Sequence, residues 1–112
     1  MNANTFRFTD EATDSFIEME RSCEFAWINN YYVDPDNCKL FMLLLKTAFS
    51  NMKQKECKKY QQLAMKQDWN NFMKENPEWT IVRSDYETIL VECDIDLAPE
   101  LIVDGFLRNN KN

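Results

Sequence analysis

Apolar residues recur along much of this chain at spacings of three and four. Phe16, Met19, Cys23, Ala26, Trp27 and Asn30 follow one helical face, with Thr9 or Asp10 placed to cap it and acids in its first turn. Asn29-Asn30-Tyr31-Tyr32-Val33 loses that period and reads as a turn. Asp34-Pro35-Asp36-Asn37 reads as a helix start, with Asp34 as cap and Pro35 at the first helical position. The helix it opens, roughly 35–52, is apolar on nearly every side from Leu40 to Leu45 and is expected at the centre of a bundle. Leu and Met outnumber β-branched residues there, so helix is preferred to strand.

A further helix is expected over Lys53–Asn76, ended by Pro77. Trp79-Thr80-Ile81-Val82 is β-prone and reads as extended. Ser84 and Glu87 have capping-box spacing, which predicts a short helix through Tyr86, Ile89, Leu90 and Cys93. Asp96-Leu97-Ala98-Pro99-Glu100 signals another helix start, leading to Leu101 and Ile102. The predicted fold is therefore all-α: a compact bundle of four to five helices with a possible short extended segment near 79–82. Residues 1–8 are expected to form an arm carrying Phe6 and Phe8. Residues 9–108 form a single domain, and 109–112 a frayed tail.

Composition narrows the chemistry. The chain has 112 residues, no histidine and one glycine, Gly105. The first absence removes Ser-His and Cys-His nucleophile pairs and histidine-ligated zinc. A single glycine leaves no glycine-rich phosphate loop. Cys23, Cys38, Cys57 and Cys93 form no CxxC pair and sit at or beside apolar positions, where a thiol behaves as a small hydrophobe. Asp34-Pro35-Asp36-Asn37 opens like a calcium loop, but Lys39 and Leu45 stand where that loop needs glycine and glutamate. Asp94 and Asp96 bracket a helix start, where capping accounts for them. No catalytic residue, metal or cofactor is expected. The longest apolar run, Leu40–Leu45, is far too short to span a bilayer, and no secretory leader is read, so a cytoplasmic or nuclear setting is expected.

Charge is unevenly distributed: net −6 over 1–36, +5 over 37–76 and −5 over 77–112. Lys53, Lys55, Lys58 and Lys59 form a basic patch that phosphate groups could engage. No arginine falls within it and the whole chain is acidic, so neutralisation by neighbouring carboxylates is preferred and nucleic acid is an unfavoured partner. The aromatic content of 13% is the stronger signal. Trp27, Tyr31, Tyr32, Trp69 and Trp79 are read as anchors on a surface lined by aromatics and methionine with an acidic rim. On this reading the chain is a non-enzymatic adaptor, complex subunit or inhibitor that binds a basic or helical segment of another protein. The alternatives are a nucleic-acid or nucleoprotein-associated factor using the lysine patch, and a homodimer that buries the aromatic surface for structure alone.

Overall fold

Alternation with a period of two, rather than helical spacing, organises the first third of the chain. The computed structural model describes residues 4–34, 36–68 and 78–109. Three strands come first: β1 (Thr5–Asp10), β2 (Ser15–Ser22) and β3 (Phe25–Tyr32). Helix α1 (Cys38–Gln54) follows, then β4 (Lys59–Met65), β5 (Thr80–Ser84), β6 (Thr88–Asp94) and helix α2 (Ala98–Asn109). Among the described residues the strands form one six-stranded sheet in the order β1-β2-β3-β4-β6-β5. All neighbours are antiparallel except β3 and β4, which α1 joins by a crossover.

The expected all-α bundle is thus corrected to a mixed α/β fold, and the reason is local. In β2, Ser15, Ile17 and Met19 point into the core while Phe16, Glu18 and Glu20 alternate onto the other face. That alternation is disguised, because the buried row includes Ser15 and continues to Arg21, whereas the open row includes Phe16. The turns are equally unmarked. Cys23 has φ 54° in the two-residue connection between β2 and β3, and Asp14 has φ 58° at the end of the β1–β2 turn. Glycine is the usual occupant of such positions, and none stands there.

Of the helix expected over 53–76, residues 53–68 are instead the end of α1, the strand β4 and a helical turn at 66–68, and 69–76 lie outside the described residues. The helix expected from Ser84 to Cys93 is a turn followed by β6; Asp85 N donates to Thr88 O (2.8 Å), closing the hairpin. Residues 5–8 of the expected arm are the first part of β1. Three elements match expectation: a helix after Asn37, extended structure at 80–82, and a helix opening beside Pro99. Even there the cap differs, since Asn37 Oδ1, not Asp34, accepts from Leu40 N at 3.0 Å. Pro35, Trp69 and Pro77 lie outside the described residues.

The core lies between the sheet and the buried side of α1, where Phe41, Leu44, Leu45, Ala48, Phe49 and Met52 meet Ile17, Met19, Ala26, Tyr60 and Val91. Helix α2 packs beside α1 and contributes Ala98, Leu101 and Val103. Helix α1 ends in paired bonds, Cys57 N to Met52 O (3.1 Å) and Glu56 N to Lys53 O (3.0 Å), with Glu56 in the left-handed region at φ 69°. Arg21, reaching from β2, donates through a terminal guanidinium nitrogen to Lys55 O at 3.2 Å, placing a cation at the negative end of the helix.

Candidate functional site

Strands β3 and β4 run side by side for only two residue pairs, Phe25 with Lys59 and Ala26 with Tyr60. Beyond these, β3 stays bonded to β2 as far as Tyr32 and β4 to β6 as far as Met65, so each has strand pairing on one side only. A wedge therefore opens in the middle of the sheet at the carboxyl ends of its two parallel strands. This is where ligands enter open sheets of α and β structure. Among the described residues, no strand pairs with the backbone groups of β3 and β4 that face the wedge.

A bulge explains the divergence. Glu18 pairs with Asn30 and Met19 with Ile28, which leaves Asn29 as the extra residue of β3. Such an insertion bends the strand and increases its twist just where pairing with β4 stops. Asn29 Nδ2 donates to Glu20 Oε1 at 2.9 Å, and Glu20 Oε1 also accepts from Thr5 Oγ1 at 3.3 Å, so the kink is tied to β2 and β1. Asn30 Oδ1 in turn accepts from Tyr31 N at 2.9 Å.

Three of the expected anchor residues stand on this stretch of β3. Trp27 is half-buried, while Tyr31 is 50% and Tyr32 55% exposed. From the register, Trp27 and Tyr32 share the face of Glu18 and Glu20. Tyr31 turns to the other side and stacks on Phe41 of α1, with ring centroids 6.0 Å apart and planes at 18°. Across the wedge, β4 presents the exposed side chains of Leu63 and Met65. Trp79 is not part of this group. It is buried, 3% exposed, against Tyr60 at a ring separation of 6.0 Å, so its expected role as an anchor is corrected to core. Sequence reasoning missed Asn29, Leu63 and Met65, whose significance lies in a strand pairing that helical spacing concealed.

Between β3 and α1 the chain makes a self-bonded turn. Asp34 Oδ1 accepts from Asp36 N (3.0 Å), Asp34 O accepts from Asn37 N (3.0 Å), and Asn37 caps the helix through its side chain. Both aspartates are exposed. This turn sits at the mouth of the wedge, directly after Tyr32 and Val33.

The expected basic patch lies at the opposite, amino-terminal end of β4. There a shallow cavity of about 740 Å³ is lined by Lys53, Lys55 and Lys58 together with Glu24, Glu56, Asp94 and Asp96. Lys53 meets Asp96 and Lys59 meets Asp94, each at 2.6 Å, and Lys55 lies over the Phe6 ring at 4.6 Å. Its hydrogen bond with Asp94 holds the Lys59 ammonium above its usual range. These are exposed pairs, screened by solvent, and they add little to stability. Two of the four patch lysines, Lys53 and Lys59, thus have a carboxylate partner.

Cys57 borders that cavity, and burial pushes its thiol up despite the opposing charge of Arg21. Burial, reinforced by Asp94, pushes Cys93 up to about 12, and burial holds the Tyr60 phenol well above its usual range. Thiols kept protonated in this way are poor nucleophiles. No cluster able to hold a metal ion occurs among the described residues, and no helix among them is long and apolar enough to cross a membrane.

No family model and no curated protein sequence matches the chain. Solved structures do. The ribosomal-protein-S18-alanine N-acetyltransferase of Escherichia coli superposes with a TM-score of 0.57 at 14% identity, over 85% of this chain and 72% of that one. The PaiA N-acetyltransferase of Thermoplasma acidophilum, solved in complex with coenzyme A, superposes with a TM-score of 0.51 at 20% identity, over 71% of this chain and 52% of that one. The chain has the fold of N-acetyltransferases. It spans about half the length of the archaeal enzyme and under three quarters of the bacterial one. This likeness contradicts the expected non-enzymatic adaptor: the all-α bundle on which that reading was built is replaced by a fold whose solved neighbours are N-acetyltransferases.

Proposed function

We propose that this chain transfers an acyl group from a thioester to an amine, with the donor's extended arm lying in the wedge between β3 and β4. The observation that carries this reading is the parting of two central strands in a sheet otherwise paired at every internal boundary. An extended ligand bearing amides would satisfy the inward-facing peptide groups as an added strand would. The apolar side chains of Tyr32, Leu63 and Met65 would cover its methylene segments. The fold shared with two N-acetyltransferases supports the class of reaction.

In the reaction, the amine nitrogen attacks the thioester carbonyl; a C–N bond forms, the C–S bond breaks, and the thiol leaves with the proton the amine gives up. With no histidine in the chain, a carboxylate or water must relay that proton. Glu18 on β2, paired with Asn30 one strand away from the wedge on the face away from α1, lies outside the Asn29–Thr5 network and is the carboxylate assigned to this relay. Coenzyme A, bound in the archaeal relative, fits only in part. Its amide-bearing arm suits the wedge, but its diphosphate would meet Asp34 and Asp36 at a helix start already capped from within, so no step is assigned to it.

Mass spectrometry tests the reading directly. The protein is incubated with the acetyl thioester of pantetheine and a panel of amines comprising free amino acids, polyamines and short peptides. Acetylation of one amine class above the uncatalysed rate, lowered about tenfold or more in Glu18→Gln, is the expected result. Absence of transfer to every class from every thioester would overturn it.

A further inference from the structure

We infer that the donor used at this wedge carries no nucleotide diphosphate: the β3–α1 turn of this chain selects a thioester on a bare pantetheine-type arm. The inference rests on the acyl-transfer reading and narrows its substrate class. A helix start that receives a phosphate does so with outward-pointing backbone N–H groups, and small residues let the anion come close. Here Leu40 N is bonded to Asn37 Oδ1, Phe41 N to Asn37 O, Asn37 N to Asp34 O and Asp36 N to Asp34 Oδ1.

Of the first four N–H groups at the positive end of α1, those of Asn37 and Leu40 are thus taken by acceptors of the chain's own turn. Two exposed carboxylates, Asp34 and Asp36, stand in the turn that leads into the helix, and Lys39 is the sole cation between Val33 and Lys46. The only glycine of the chain, Gly105, is remote in sequence, in α2. Like charges within the same turn disfavour a bound dianion, and screening by salt weakens that effect. The wedge itself carries no such obstacle. Tyr31, Tyr32, Leu63 and Met65 are uncharged, and the strand backbones beside them accept amides whatever the far end of the arm bears.

Equilibrium titration of the full chain with three acetyl donors tests this: acetyl-pantetheine, acetyl-coenzyme A, and an acetylated carrier protein whose arm ends in a single phosphodiester. The expected result is that one of the two nucleotide-free donors binds at least about tenfold more tightly than acetyl-coenzyme A at low salt. The gap narrows as salt rises. In the double variant Asp34→Asn, Asp36→Asn, acetyl-coenzyme A gains about tenfold while acetyl-pantetheine is unchanged, which also shows that the variant is folded. Preference for the free arm or for the carrier protein tells which source presents it, and either supports the inference. Tighter binding of acetyl-coenzyme A than of both others overturns the inference and leaves acyl transfer standing. Failure of all three to bind overturns both.

Discussion

Glu56 follows the end of α1 with φ 69°, a conformation that costs an L-residue with a Cβ roughly 1–2 kcal/mol and a glycine little. Its backbone N–H bonds to Lys53 O. Glu56→Gly keeps that bond and removes the steric cost. It is therefore expected to stabilise the protein by about 0.5–1 kcal/mol, raising the melting temperature by a few degrees in differential scanning calorimetry. A second residue-scale consequence concerns pH. The Cys93 thiol is pushed up to about 12 in the folded chain from an ordinary value of 9.0. The folded state therefore holds this proton after the unfolded state has released it. Stability from this source is intact below pH 9 and is lost as pH climbs toward 12. Tyr60, also raised by burial, acts in the same direction. Melting temperatures should fall with increasing alkalinity above pH 9, and Cys93→Ala should make that fall shallower.

At the scale of elements, legibility depended on how each element announces itself. Helix α1 was readable because seventeen residues rich in Leu, Met and Phe leave no alternative with the right turn signals. Helix α2 was readable from Pro99 and Glu100, and β5 from β-branched residues. Strands β1 to β3 were not, because their turns use Asp14 and Cys23 where glycine would have flagged a hairpin. Trp79 shows the same limit at the candidate site: its residue type fits a surface anchor and a core equally, and only the Tyr60 ring beside it decides. Trp79→Ala should cost about 3–5 kcal/mol in urea unfolding, and Tyr32→Ala under about 1 kcal/mol. The β3 bulge gives the sharpest element-scale test. Deleting Asn29 preserves the register on both sides, since Ile28 still meets Met19 and Asn30 still meets Glu18. The straightened β3 should pair further along β4, closing the wedge and abolishing donor binding in a folded protein, as circular dichroism and titration would show.

Across the whole molecule, charge balance was legible while its geometry was not. The excess of lysine in the middle third suggested pairing with carboxylates on flanking helices, whereas the partners of Lys53 and Lys59, Asp96 and Asp94, come from the end of β6 and its following turn. The aromatic cluster at Trp27, Tyr31 and Tyr32 was expected at a helix end, but its setting is a parted sheet. That setting is created by pairings between residues far apart in sequence, which no local pattern encodes. The central claim is that the wedge between β3 and β4 receives the arm of an acyl donor. The most direct measurement is a backbone-amide NMR titration with acetyl-pantetheine, followed by hydrogen exchange of the complex. Shifts and new protection concentrated in residues 27–32 and 61–65 are the expected result. Saturable shifts confined to the cavity beside Cys57 and Lys58, or no shifts at all, would contradict it.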